Sequence, residues 1–185
     1  KLKKNDKYDD LIHIIYSKNI KLDNLEITNS RSDAIDIDIS KVKISNLKIT
    51  NSKNDCLDLM MSEVEISNSN FISCGDKGIS VGEKSKILIN NLKVSDSVIG
   101  IAAKDNSKVE AINLKLTNNK THIDAYNKNW QYGDNPSIVE ISNSIFHKGN
   151  ENENIFKTEG LNYINIKNSK YIGSIKKTQN VLLEN

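Results

Sequence analysis

The 185-residue chain sets 26 Lys+Arg against 24 Asp+Glu, a formal net charge of +2, and contains 1 Pro and 8 Gly. That balance, with scattered lysines and Arg31 as the one arginine, argues against a nucleic-acid surface. No run of 18 apolar residues offers a membrane span, and the length suits one domain, residues 1–185. The basic start, Lys1 to Asp6, lacks a following apolar stretch and does not read as a signal peptide.

In chain order, Leu11 to Tyr16 reads as a first strand, and a repeat follows. The segments 20–27, 42–49, 64–71, 87–94 and 109–116 align without gaps, and their asparagines Asn24, Asn46, Asn68, Asn91 and Asn113 are spaced 22, 22, 23 and 22 apart. A second series, Ala34, Cys56, Gly78, Gly100 and His122, steps by 22 throughout. Two markers keeping one period indicate a solenoid. Within each repeat apolar residues alternate with polar ones, the period of strands. Three short strands are predicted per coil, in the second coil at 35–39, 42–45 and 47–50. Ile35, Ile37, Val42, Ile44, Leu47 and Ile49 then point inward, and Asn46 turns the chain. A leucine-rich repeat tolerates the same period, but has one strand per repeat and favours Leu over the Ile and Val seen here. The fold class is therefore all-β, a parallel β-helix of about 22 residues per coil.

The repeat loosens at 127–137, a corner insertion holding the only Trp and Pro, and coils resume near Ile138 and Tyr163. Open solenoid ends expose strand edges, so this chain is expected to form part of a longer one or to associate end to end.

Adding 22 repeatedly stacks Asp36, Asp58, Ser80, Ala102 and Asp124 in one outward column, and Asp38, Met60, Gly82, Lys104 and Tyr126 in the next. Ile39, Met61, Glu83, Asp105 and Asn127 form the rim, and Asp33, Asp55 and Lys77 precede the strands. Asp36, Asp38 and Asp58 invite two readings. One is a calcium site or an acid/base pair acting on a sugar; the other, which sequence favours, is splayed carboxylates on a wet face. Lys104 with Tyr126 has the composition of a proton-transfer pair for polysaccharide β-elimination. The plainer expectation is a surface ion pair of Lys104 with Glu83, worth about 0–1 kcal/mol. Glu83 and Asp105 at the rim, Asp38, and the aromatic residues Trp130 and Tyr132 are candidate substrate-binding residues. The aromatics either stack on sugars or close the side of the helix. Cys56 and Cys74, the only cysteines, fall four residues out of register in adjacent coils, and no disulfide is expected. No metal spacing links His13, His122 and His147 to them.

The runs Asp33-Ala-Ile-Asp-Ile-Asp-Ile-Ser40, Asp55-Cys-Leu-Asp-Leu59, Gly75-Asp-Lys-Gly-Ile-Ser-Val-Gly-Glu-Lys-Ser85 and Ile99-Gly-Ile-Ala-Ala-Lys-Asp-Asn-Ser107 resemble right-handed parallel β-helix repeat proteins. In particular they are similar to the β-helix accompanying CotH-type domains of bacterial surface proteins. Tyr126-Asn-Lys, Tyr132-Gly-Asp and Ile155 to Gly160 fit the same pattern. The resemblance implies a right-handed coil and an extracytoplasmic bacterial setting, not a reaction. Polysaccharide-acting enzymes share the fold, but the catalytic arginines of the lyases, the Asp-Asp and His-Gly pairs of the polygalacturonases and the Asp-Pro-His of the epimerases are missing here.

The expected function is a non-catalytic extracytoplasmic module, structural or polysaccharide-binding, with a polysaccharide or cell-surface glycan as partner. The alternative is a polysaccharide-active lyase or hydrolase using Asp36, Asp58, Lys104 and Tyr126. No cofactor is expected, calcium at Asp36, Asp38 and Asp58 being the less favoured of the two readings of those carboxylates, and no nucleic acid.

Overall fold

A computed structural model describes residues 9–133, 135–147 and 155–184. The basic start Lys1 to Asp6 and Asp134 of the insertion lie outside the described residues. The strands are β1 (Ile12–Ile15), β2 (Ile20–Asp23), β3 (Glu26–Thr28), β4 (Ile35–Asp38), β5 (Lys41–Ser45), β6 (Lys48–Ser52), β7 (Leu57–Met60) and β8 (Glu63–Cys74). They continue as β9 (Lys77–Gly82), β10 (Lys86–Ser95), β11 (Ile99–Lys104), β12 (Lys108–Thr117), β13 (Thr121–Tyr126), β14 (Ile138–Ser142) and β15 (Ile145–His147). The last are β16 (Phe156–Thr158), β17 (Tyr163–Lys167), β18 (Lys170–Ile172) and β19 (Val181–Glu184). All pairings between them are parallel. A seven-stranded sheet runs β1-β4-β7-β9-β11-β13-β16, and a twelve-stranded sheet holds the rest.

The step of 22 is the register itself. Ile35 pairs with Leu57, Leu57 with Ile79 and Ile79 with Ile101, and all four are fully buried. In the middle coils the second and third predicted strands fuse into one bent strand, as in β8 and β10. The bend falls on Asn68 and Asn91, with φ 48° and 61°. Asparagine tolerates this left-handed backbone better than most residues, which explains its periodic recurrence. The corner asparagines bond one another between only some coils: Asn91 Nδ2 donates to Asn68 Oδ1 (2.8 Å), whereas Asn46 Nδ2 donates to Asp23 Oδ1 (3.0 Å).

Two side-chain staircases, unmarked by hydrophobic patterning, fasten the other corners. Ser17 N–H donates to Ser40 Oγ (2.9 Å), Ser40 N–H to Ser62 Oγ (3.0 Å) and Ser62 N–H to Ser85 Oγ (3.0 Å). On the far side of the seven-stranded sheet, Asp33 N–H donates to Asp10 Oδ1 (3.2 Å), Asp55 N–H to Asp33 Oδ1 (2.7 Å) and Lys77 N–H to Asp55 Oδ1 (2.8 Å). Each step satisfies a corner amide that no strand partner reaches.

Cys56 and Cys74 form a disulfide, with Cα atoms 5.4 Å apart, contrary to the expectation from sequence. The expectation measured their four-residue offset along an extended chain. Cys74 stacks on Ser52, and the chain turns a corner between Ser52 and Cys56, so the offset is folded back across the interior. The same corner explains Gly78, one coil after Cys56. A Cβ there would lie 2.4 Å from Val94 Cγ1 and 2.5 Å from the Gly100 carbonyl oxygen.

After the insertion, β14 still pairs with β12 in register, Val139 against Val109, although the step has grown to 30 residues. Phe146, Phe156 and Tyr171 fill the last coils. Phe146 meets Phe156 edge-on at 5.0 Å and stacks on Tyr171 at 5.5 Å, measured between ring centroids.

Candidate functional site

The outer face of the seven-stranded sheet gathers the residues singled out from sequence. Strand alternation sends Asp36 and Asp38 of β4 to one face, and parallel register sets Asp58 beside Asp36 and Ser80 beside Asp58. Lys104 pairs with Tyr126 one coil on. From β1 to β13 this face spans five coil spacings, about 24 Å.

At its first end stands His13, which the sequence reading did not place here. It pairs with Asp36 at a step of 23, so adding or subtracting 22 misses it. Its Nε2 lies 2.9 Å from Asp38 Oδ2 and 3.5 Å from Asp36 Oδ2. The hydrogen bond with Asp38 raises the His13 pKa, aided by the charges of Asp36, Asp38 and Asp10 and opposed by burial. Burial, then the charges of Asp38 and Asp58, pushes the Asp36 carboxyl up to about 7.

In the middle the residues are small: Ser80, Gly82 and Ala102. Lys104 lies across them. Its ammonium stands 4.0 Å from Asp58 Oδ1, and a Cβ on Gly82 would come within 3.2 Å of Lys104 Cε. Lys104 is 4% exposed, which corrects the expectation of a solvated surface lysine. Its charge still reaches Glu83, whose carboxyl is raised by burial and held back by Lys104. Ser80 Oγ is buried beneath this layer without a hydrogen-bond partner. Burial pushes the Tyr126 hydroxyl up to about 12, so at neutral pH it holds its proton.

The rim and insertion form the far end. Asp105 is 1% exposed, and its Oδ1 accepts the Lys128 and Asn129 N–H groups at 2.7 and 2.8 Å. It anchors the insertion rather than facing a ligand. A 3-10 turn, Trp130–Tyr132, begins there, with the Asn129 side chain accepting the Gln131 N–H. Trp130 is 84% exposed, whereas the Tyr132 ring sits 5.9 Å from Lys84 Nζ. Trp130 therefore does not close the side of the helix.

Asp33, Asp55 and Lys77, which precede the strands, belong to the corner staircase. Lys77 Nζ lies 3.5 Å from Asp55 and pairs with Asp76.

A groove of about 810 Å³ runs over the outer face of the twelve-stranded sheet past Lys43, Glu65, Leu88, Glu110, Ile112 and Glu140. Charges there pair across coils, as in Lys43–Glu65 at 2.8 Å, while Leu88 and Ile112 are exposed. Sequence reading did not single it out, since its rungs look like any solvated strand face.

The sequence profile described as "Right handed beta helix region" matches residues 1–129 and, in a second overlapping match, 38–182. The chain belongs to the right-handed β-helix family. Comparison with curated proteins and with solved structures found no match. This right-handed β-helix has seven coils in its seven-stranded sheet and, among the described residues, no helix long and apolar enough to cross a membrane.

Proposed function

We propose that this right-handed β-helix is an extracytoplasmic polysaccharide-binding module whose binding face is the outer surface of the seven-stranded sheet. The observation that carries this reading is Trp130, 84% exposed at the rim of a face whose first end carries His13, Asp36, Asp38 and Asp58. A flat aromatic ring stacks on the apolar face of a sugar, and partly exposed acceptors such as Asp58 and Glu83 suit sugar hydroxyls. A strip of about 24 Å accommodates several sugar rings in a row. The disulfide supports an oxidising compartment outside the cytoplasm.

A lyase or hydrolase on the same face is the second reading, favoured by the burial of Lys104 beside Asp58 with Tyr126 next in register. Tyr126 holds its proton too firmly to act as a base near neutral pH, which favours binding over elimination.

The test is retardation of the protein in gels containing neutral or acidic polysaccharides, with unsaturated products read by absorbance and reducing ends assayed in parallel. Binding without new ends of either kind is expected. New ends would establish the enzyme reading instead, and neither retardation nor products would overturn both.

A further inference from the structure

We propose that His13, Asp36 and Asp38 bind a divalent metal ion of the zinc class through one imidazole nitrogen and two carboxylates. The inference goes beyond the polysaccharide reading and does not depend on it. One donor atom from each of the three residues lies within 4.8 Å of the other two, and His13 Nε2 is 2.9 Å from Asp38 and 3.5 Å from Asp36. A tetrahedral zinc ion with bonds of about 2.0–2.2 Å holds its ligand atoms roughly 3.3–3.6 Å apart. The three groups therefore reach that geometry by side-chain adjustment alone.

The backbone fixes the arrangement. Asp36 and Asp38 alternate on β4 and share a face, and β1 lies in register beside it, with His13 opposite Asp36 and Ile15 opposite Asp38. Three protein ligands on an outer face leave a fourth position open to water or to a ligand oxygen. The imidazole decides the metal class. Calcium takes six to eight oxygen ligands, whereas nitrogen with carboxylate suits zinc and its neighbours. Asp58, the third carboxylate of the calcium reading weighed from sequence, has Oδ1 4.0 Å from the Lys104 ammonium.

The test is thermal melting of the metal-stripped protein with zinc or calcium added, for wild type, His13→Ala, Asp38→Asn and the control His147→Ala. His13 is largely exposed, so its loss leaves the fold standing, which circular dichroism checks. At zinc near 100 times Kd the wild type and His147→Ala are expected to gain roughly 5–10 °C, and His13→Ala and Asp38→Asn to lose most of it. Cobalt in place of zinc is expected to give visible d–d absorption in the wild type that His13→Ala abolishes. No zinc shift in the wild type, an equal shift in all four proteins, or a calcium-only shift retained in His13→Ala would each overturn the proposal.

Discussion

Lys104 folds back across Gly82 to stand 4.0 Å from Asp58, two coils away. The contact is long for a hydrogen bond, but Lys104 is 4% exposed and Asp58 is its nearby counter-ion. Sequence alone, seeing Asp58 only beside Asp36, expects Asp58→Asn to relieve repulsion and leave stability unchanged or slightly higher. The lysine reverses that sign. Neutralising Asp58 removes the carboxylate that stands 4.0 Å from a buried ammonium and leaves it only the more distant Glu83, so Asp58→Asn is expected to cost about 1–2 kcal/mol, discounted because Asp58 is partly exposed. Urea melts at neutral pH check it, and a variant as stable as wild type would contradict the pairing.

Asp55 gives the fold a pH dependence. Burial pushes its carboxyl up to about 6, against the opposing charge of Lys77, with Asp58 and Asp33 adding to the rise. Its folded pKa thus lies above the unfolded value near 3.8. Between roughly pH 4 and 6 the native state holds the extra proton, so stability falls as pH rises through that window. Asp55→Asn keeps an oxygen to accept the Lys77 N–H and does not titrate. The wild type is expected to lose about 1–3 kcal/mol more than the variant between pH 4 and 7. Parallel slopes in denaturant melts across that range would contradict it.

Cys56–Cys74 closes a loop of 18 residues, almost one coil. Restricting that loop in the unfolded chain is worth about 3 kcal/mol. Reduction, or Cys74→Ser, is expected to lower stability by about 2–4 kcal/mol. Guanidinium melts with and without reductant read the difference, and thiol titration of the unreduced, unfolded protein should find no free cysteine.

Ser62 is a rung of the corner staircase. Its Oγ accepts the Ser40 N–H at 3.0 Å and contacts the Met60 carbonyl at 2.9 Å. Ser62→Ala strands a buried amide, with an expected cost of about 1–3 kcal/mol. A loss under half a kcal/mol would show that the staircase contributes little.

The period alone placed Asp36 against Asp58 and stacked Ile35, Leu57, Ile79 and Ile101, because a constant step is the register of a parallel coil. What the period could not supply lies at its irregularities and corners. His13 sits one residue out of step with Asp36. The disulfide crosses a turn that linear spacing treats as extended chain. The buried serines carry no hydrophobic signal, although their recurrence at Ser40, Ser62 and Ser85 was open to view. Lys104 reads as surface until the small residues beneath it are noticed: Gly82 and Ala102 leave room for its stem to lie flat.

Whether the seven-stranded sheet presents the binding face is tested most directly by titrating a retained polysaccharide against two single variants, one on each outer surface. Trp130→Ala removes the exposed ring at the rim, and Leu88→Ala trims the groove on the twelve-stranded sheet. Both side chains are exposed, so both variants should fold as the wild type does. Trp130→Ala is expected to weaken binding about tenfold, a loss near 1.4 kcal/mol, while Leu88→Ala leaves affinity within a factor of about two. Undiminished affinity in Trp130→Ala, with the loss appearing in Leu88→Ala, would move the binding face to the groove and contradict its placement on the seven-stranded sheet.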